Sequence, residues 1–388
     1  MFNGGCGLNK IKVMTVFGTR PEAIKMAPVV GALKKRANEF ETVTVVSAQH
    51  RQMLDQVLNI FKIKPDYDLD IMQREQTLSK ITTRVITSLD KVIEEAQPDI
   101  ILVHGDTTTT FATSISAFYH QIMIGHVEAG LRTWEKYSPY PEEMNRQLTD
   151  VLADLYFAPT AQSKINLLNE NHADHNIFIT GNTAIDALKQ TVDKDYKHDI
   201  LKKIDNNNRV ILVTMHRREN QGEPMRRVFK VIREVVDSYS DVEVIYPVHL
   251  NPVVQDIAKS ILGDNPRIHL ISPLDVVDFH NLSARSYFIM TDSGGVQEEA
   301  PSLGKPVLVL RDNTERPEGI TAGTLRLVGT DPKTIREAMI ELLGNQVAYN
   351  EMAHAKNPYG DGQAANRILD AIAYSFKIND KRPDDFDI

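Results

Sequence analysis

The chain has 388 residues, with 44 Lys and Arg against 52 Asp and Glu, so its formal net charge is -8. With 42% apolar and 25% charged residues it has an ordinary globular composition, which excludes intrinsic disorder, collagen and coiled-coil arrays, and its length suits two or three domains of roughly 150 residues. The acidic balance argues against a surface that coats nucleic acid while leaving room for a local anion site, and no run approaches the ~18 consecutive apolar residues of a membrane span.

The first ten residues carry three glycines and the single cysteine, Cys6. They lack the apolar stretch of a signal peptide and read as a flexible extension without a catalytic role. One cysteine permits no intrachain disulfide, which fits a reducing, cytoplasmic compartment. Short β-rich apolar runs then alternate with helical patterns. The runs fall at 11–17, 42–47, 99–103, 122–127, 155–158 and 177–180, with helices expected over 22–36, over 78–96 and after Asp106. Apolar runs of this length, bounded by turn residues, fit strands buried on both faces of a parallel sheet and joined by right-handed crossovers. The pattern pauses over 189–208, a stretch rich in Asp, Lys and Asn that reads as a linker or a domain boundary. It resumes with runs at 210–214, 242–246, 268–270, 287–291 and 306–310, and helices over 334–343 and 363–376 close the chain. Two α/β halves are expected. Ligands of such sheets bind outside the carboxyl ends of the strands, so the informative residues are those that follow each strand.

After the first strand comes Gly18-Thr19-Arg20-Pro21-Glu22, with Lys25 close behind. Gly18 permits a tight turn and Pro21 suits the first helical position, and Arg20 and Lys25 lie near a helix N-terminus, where anions are favoured. Solvated charges at a helix start explain this piece equally well. There is no Walker loop and no Gly-x-Gly-x-x-Gly, so no nicotinamide cofactor is indicated. The run at 99–103 leads into His104-Gly105-Asp106, where Asp106 serves as a helix N-cap, as a reacting carboxylate, or as both. The run at 122–127 leads into Glu128, a carboxylate that burial makes costly without a partner, for which Arg132 and Arg146 are the candidates. Glu142 and Glu143 open a further helix and also complement its dipole.

In the second half, 210–214 leads into Met215-His216-Arg217-Arg218, either an anion-binding turn or a plain basic one, and 242–246 leads into Pro247-Val248-His249. A zinc site would need thiolates or a His-Glu-x-x-His pair, and neither exists, so no metal is expected. Asp292-Ser293-Gly294-Gly295 ends a strand and starts a helix; its glycines and free N–H groups suit a phosphate, with Glu299 a turn and a half further on, in reach of a ribose. Arg311 and Arg316 follow the next strand. Two Asp-x-Asp stretches, at 66–70 and 385–387, read as solvated acidic segments rather than metal sites.

Taken together these pieces resemble the non-hydrolysing UDP-N-acetylglucosamine 2-epimerases of bacteria. The matching segments run in order from Phe17-Gly-Thr-Arg-Pro-Glu-Ala-Ile-Lys-Met-Ala-Pro28 through His104-Gly-Asp-Thr107, His126-Val-Glu-Ala-Gly-Leu-Arg-Thr133 and Pro141-Glu-Glu143 with Asn145-Arg146. They continue through Thr180-Gly-Asn-Thr183, His216-Arg-Arg-Glu-Asn220, Tyr246-Pro-Val-His-Leu-Asn-Pro252, Asp292-Ser-Gly-Gly-Val-Gln-Glu-Glu299, Thr314-Glu-Arg-Pro-Glu318 and Asn357-Pro-Tyr-Gly-Asp-Gly362. The resemblance implies a GT-B fold of two Rossmann-like α/β/α domains with the active site in the cleft between them. The expected domains are 11–188, joined by a returning C-terminal helix over about 363–380, and a UDP-binding domain over 189–362. It also implies a homodimer, no cofactor and no metal.

For such an enzyme the reaction is the reversible inversion of C2 in UDP-GlcNAc to give UDP-ManNAc, by elimination of UDP to 2-acetamidoglucal and re-addition, supplying ManNAc for cell-surface polysaccharide such as teichoic acid linkage units or capsule. By resemblance Asp106, Glu128 and Glu142 are the catalytic acids and bases, with His216 assisting. Arg20, Lys25, His216, Ser293, Gly294, Gly295 and Arg316 hold the diphosphate, Glu299 holds the ribose, and Phe279 lies against the uracil or in the core. Many members are activated by their own UDP-GlcNAc at a second site, and the matching positions are Gln49, Gln52, Arg74, Arg217 and His249. The competing readings are a GT-B glycosyltransferase using a UDP-sugar, a hydrolysing epimerase that releases ManNAc and UDP, and a nucleotide-sugar-binding regulator.

Overall fold

A computed structural model describes residues 10–48, 51–73, 76–314 and 316–387. The chain forms two compact units, one running up to Ala187 and taking in Gly360–Asp387, the other comprising Leu188–Tyr359.

The first unit holds a seven-stranded sheet of β1 (Ile11–Phe17), β2 (Phe40–Val46), β3 (Tyr67–Asp68), β4 (Ile100–His104), β5 (Met123–Val127), β6 (Leu155–Ala158) and β7 (Ile177–Ile179), in the order 3-2-1-4-5-6-7. The second holds a six-stranded sheet of β8 (Arg209–Thr214), β9 (Val242–Pro247), β10 (Ile268–Ile271), β11 (Phe288–Thr291), β12 (Val307–Val309) and β13 (Leu325–Leu327), in the order 10-9-8-11-12-13. Every pairing in both sheets is parallel. All-parallel sheets need helices on both faces, which is why β4 is buried at every position and why its sequence, Ile-Ile-Leu-Val-His, does not alternate. In each sheet the strand order reverses once, between β1 and β4 and between β8 and β11. These reversals are the switch points at which open α/β sheets receive ligands.

Several details differ from the sequence reading. The stretch 189–208 is not a free linker: Tyr196, Ile200, Leu201 and Ile204 pack with Leu212, Ile245 and Ile289 in the second unit's core. The Asp-x-Asp stretches are not merely solvated. Asp66 accepts the Thr44 amide at 2.8 Å beside β3, and Asp385 accepts the Ile179 amide at 2.9 Å beside β7. Each acidic side chain thus satisfies a backbone donor near an outer strand of the sheet. The helix Ala364–Ser375 belongs to the first unit, where Ile368, Leu369 and Ile372 share a core with Phe17, Val30 and Leu33. Its entry is held by Asp186, whose carboxylate accepts the amides of Ala364 at 3.2 Å and Ala365 at 2.9 Å.

Candidate active site

At the first switch point the chain leaves β1 through Gly18. A Cβ at Gly18 would lie 1.9 Å from Ser47 Oγ and 2.9 Å from Thr109 Oγ1, side chains that bond each other at 3.0 Å. Gly18 is therefore required by close packing, a reason its sequence context, which suggested only a tight turn, did not show. Thr19 caps the helix Arg20–Lys35, and the buried Glu22 turns back to accept the amides of Gly18 at 3.0 Å and Thr19 at 2.7 Å. The same carboxylate accepts the hydroxyl of Thr107 at 2.6 Å, tying the turn after β1 to the turn after β4. Thr107, not Asp106, is the N-cap of the helix Thr108–Tyr119, so the Asp106 side chain has no capping role.

The carboxylates have partners that the sequence did not single out. Lys25 Nζ donates to both oxygens of Glu128, at 2.8 and 2.6 Å, and His104 Nε2 lies 2.7 Å from Glu128 Oε2. Burial alone would raise the Glu128 pKa, but attraction to Lys25 and His104 and their hydrogen bonds outweigh it and hold the carboxyl well below the usual range. Arg132 and Arg146, the expected partners, are committed elsewhere. Arg132 pairs with Asp150 and Glu170, each at 2.6 Å, and Arg146 pairs with Asp106. Glu128 itself sits in the left-handed region with φ of 66°, a conformation uncommon for residues with a side chain.

Glu142 and Glu143 divide their roles. Glu143 is fully buried and accepts the amides of Thr133 and Trp134, both at 3.1 Å, and the Gln147 side chain at 2.8 Å. Against the effect of burial, these bonds lower its pKa. Glu142, the first residue of the helix Glu142–Leu152, is half-buried and makes no hydrogen bond or ion pair among the described residues, and the same is true of the Arg20 side chain at the start of its own helix.

At the second switch point Asp292, fully buried after β11, accepts three donors on one oxygen: the amides of His216 (3.0 Å) and Arg217 (2.9 Å) and the Asn220 side chain (3.0 Å). It thereby fixes the turn after β8, a function that its place ahead of Ser-Gly-Gly concealed. His216 stacks on His249 with ring centres 5.4 Å apart and planes 8° apart. Burial pushes the His216 pKa below its ordinary value; Asp292 opposes the shift, and His249 and Arg217 add to it. Ser293 stands at the N-cap position of the short helix Gly294–Glu299, with no capping bond from its side chain. A Cβ on Gly294 would meet the Arg316 guanidinium at 2.7 Å, so this glycine admits Arg316, which also pairs with Glu298 at 2.7 Å. Gly295 keeps the next position small and half-buried. Glu299 faces the buried His280 at 3.3 Å, and Phe279 packs against the core around Leu212 and Ile289. Gln49, Arg74 and Glu315 lie outside the described residues, and Gln52 belongs to the helix Arg51–Ile60. Among the described residues no group of three His, Cys, Asp or Glu side chains could hold a metal ion, and no helix is long and apolar enough to cross a membrane.

Two parallel α/β sheets, each with charged side chains at its switch point, define a protein of the GT-B class. A family model described as UDP-N-acetylglucosamine 2-epimerase matches residues 32–373. The UDP-N-acetylglucosamine 2-epimerase of Bacillus subtilis is 59% identical over 379 residues, 98% of this chain and 99% of its own. A crystal structure of the Listeria monocytogenes counterpart superposes with a TM-score of 0.94 at 60% identity, covering 98% of this chain and all of that one (100%). The Neisseria meningitidis UDP-GlcNAc 2-epimerase, solved with UDP-GlcNAc bound, superposes with a TM-score of 0.83 at 50% identity over 93% of this chain and 99% of its own. The chain belongs to the UDP-N-acetylglucosamine 2-epimerase family.

Proposed function

We propose that the protein interconverts UDP-GlcNAc and UDP-ManNAc without hydrolysing either. The C2 proton passes to a carboxylate, the C1–O bond to UDP breaks, and 2-acetamidoglucal forms; a proton then adds to the other face of C2 as UDP returns to C1. The observation that carries this reading is the unequal pair of carboxylates at the first switch point. The Glu128 side chain is only 9% exposed and is held ionised by Lys25 and His104, whereas the Asp106 side chain is 28% exposed and is bound, among the described residues, by Arg146 alone. Carboxylates in contrasting environments suit contrasting tasks. A permanently ionised Glu128 stabilises positive charge that grows on the sugar as UDP leaves, and Asp106 takes the C2 proton. Glu142 supports the exchange on the other face.

UDP is the natural ligand of the second unit's switch point, where the turn Ser293-Gly294-Gly295 and Arg316 meet the diphosphate and His216 supports the departing oxygen. Glu299 takes the ribose and the half-buried Phe279 completes the base pocket, while Arg20 and Lys25 supply cations at the first unit's own switch point. The stacking of His216 on His249 supports a second UDP-GlcNAc-binding role for Arg217 and His249 in the second unit. A UDP-ManNAc reaction that needs no added UDP-GlcNAc would count against that role. The exposed side chains of Phe118, Tyr119 and Val151 on neighbouring helices support a homodimer.

Incubation with UDP-GlcNAc in heavy water tests the reaction. The expected result is a mixture of UDP-GlcNAc and UDP-ManNAc carrying deuterium at C2. Free ManNAc would indicate hydrolysis, and no exchange would indicate a transferase or a binding protein. Asp106→Asn and Glu128→Gln should each abolish exchange while still binding UDP.

A further inference from the structure

Behind Asp106 and Glu128 lies a buried charge cluster that the proposed reaction does not use. His126 and Asp150 are fully buried, and so is the side chain of Arg132. His126 comes from β5, two residues before Glu128. Its Nδ1 bonds Asp150 Oδ1 at 2.5 Å and its Nε2 bonds the carbonyl oxygen of Gly105 at 2.8 Å. Both neighbours are acceptors, so the ring that satisfies them carries a proton on each nitrogen. The charges then balance: His126 and Arg132 are positive, Asp150 and Glu170 negative, with Arg132 bridging the two carboxylates at 2.6 Å each. A balanced, hydrogen-bonded set is the form in which charges survive burial. Against the cost of burial, His126 and Arg132 hold the Asp150 carboxyl below its ordinary range.

What the cluster grips is informative. Gly105 immediately precedes Asp106, and Gly130 follows Glu128 by two residues. Asp150 Oδ2 accepts the Gly130 amide at 3.3 Å, and Asn166 donates to the Gly130 carbonyl at 2.9 Å. The helix Glu142–Leu152 supplies the anchors at helical spacing: Asn145 donates to the Asp106 carbonyl at 2.9 Å, Arg146 pairs with the Asp106 side chain, and Asp150 lies one turn further along the same face. One buried imidazole–carboxylate pair thus holds the backbone just before Asp106 and just after Glu128.

We propose that His126 and Asp150 are positioning residues for the C2 proton transfer, with the bond from His126 to the Gly105 carbonyl setting the direction of the Asp106 side chain. The proposal rests on the reading of Asp106 and Glu128 given above. Two substitutions separate the two ring contacts. The amide nitrogen of Asn falls near the Nδ1 position, so His126→Asn retains the Asp150 bond and loses the Gly105 bond; that of Gln falls near Nε2, so His126→Gln does the reverse.

With UDP-GlcNAc as substrate, His126→Asn should lower kcat by about 10²-fold, the scale of a small misplacement of reacting groups, with KM and UDP affinity unchanged. His126→Gln should recover most of that kcat while lowering the melting temperature, because Asp150 loses a partner. Circular dichroism confirms that each variant is folded at the assay temperature. Full kcat in His126→Asn, or equal losses in both variants, would overturn the proposal while leaving the reaction intact, provided that Asp106→Asn and Glu128→Gln still abolish exchange. If those two retain exchange, the reading of the reaction fails first, and the positioning role falls with it.

Discussion

At the scale of single residues, the chemistry depends on backbone conformations that few side chains tolerate. Gly130 has φ of 84°, and a Cβ there would lie 2.3 Å from the backbone oxygen of Ser163. Gly130→Ala therefore combines left-handed strain with a clash against backbone, and is expected to cost at least about 2 kcal/mol, read as a lower melting temperature and a loss of turnover. Glu128 adds a pH dependence. Its pKa in the folded state lies below that of the unfolded chain, so the ion pair contributes stability that is complete above the ordinary Glu value of about 4.3 and is lost as pH falls below it. Glu128→Gln should flatten this part of the acid limb in a plot of melting temperature against pH; an unchanged acid limb would show that Glu128 contributes nothing to it.

At the scale of elements, the repeating strand–helix pattern was readable because buried parallel strands are continuous apolar runs. The strands that escaped notice are β3 and β13, of two and three residues, too short to display any period. Residue types at strand ends were equally plain in the sequence, but their pairing was not. Lys25 reaches Glu128 across 103 positions, and only the adjacency of β1, β4 and β5 brings such residues together. The C-terminal helix Ala364–Ser375 makes a further prediction. Leu369 is fully buried against the first unit's core, and Leu369→Ala should cost about 2–5 kcal/mol in thermal or denaturant unfolding. Burial also pushes the Asp186 carboxyl, at the entry of that helix, up to about 6, with the Ala364 and Ala365 amides opposing. An acid whose pKa is raised on folding stabilises fully below its unfolded value, and that contribution is lost as pH rises through the folded one. Stability should therefore fall as pH rises from about 4 to about 6, by on the order of 3 kcal/mol, and Asp186→Asn should remove that slope.

At the scale of the whole molecule, the first unit is built from two separate stretches of chain. Removing residues after Tyr359 deletes Ala365, Ile368, Leu369 and Ile372 from a core they share with Phe17 and Val30. Such a truncated chain should lose the cooperative unfolding of the first unit in calorimetry, whereas a passive tail would leave the transition unchanged. The net charge of -8 describes the surface as a sum and says little about the switch points, where Lys25, Arg146 and Arg316 each sit against a carboxylate. What the sequence by itself determined is the α/β alternation, the two-sheet architecture, the family and the kinds of side chain at the strand ends, because these depend on local patterns of burial and on order along the chain. Only the tertiary structure decided which cation serves which carboxylate, that Thr107 rather than Asp106 caps its helix, and that His126 and Asp150 stand behind the reacting groups. Ion pairs and buried hydrogen bonds are made between strands and helices far apart in sequence, and their partners are chosen by strand order and backbone direction rather than by spacing along the chain.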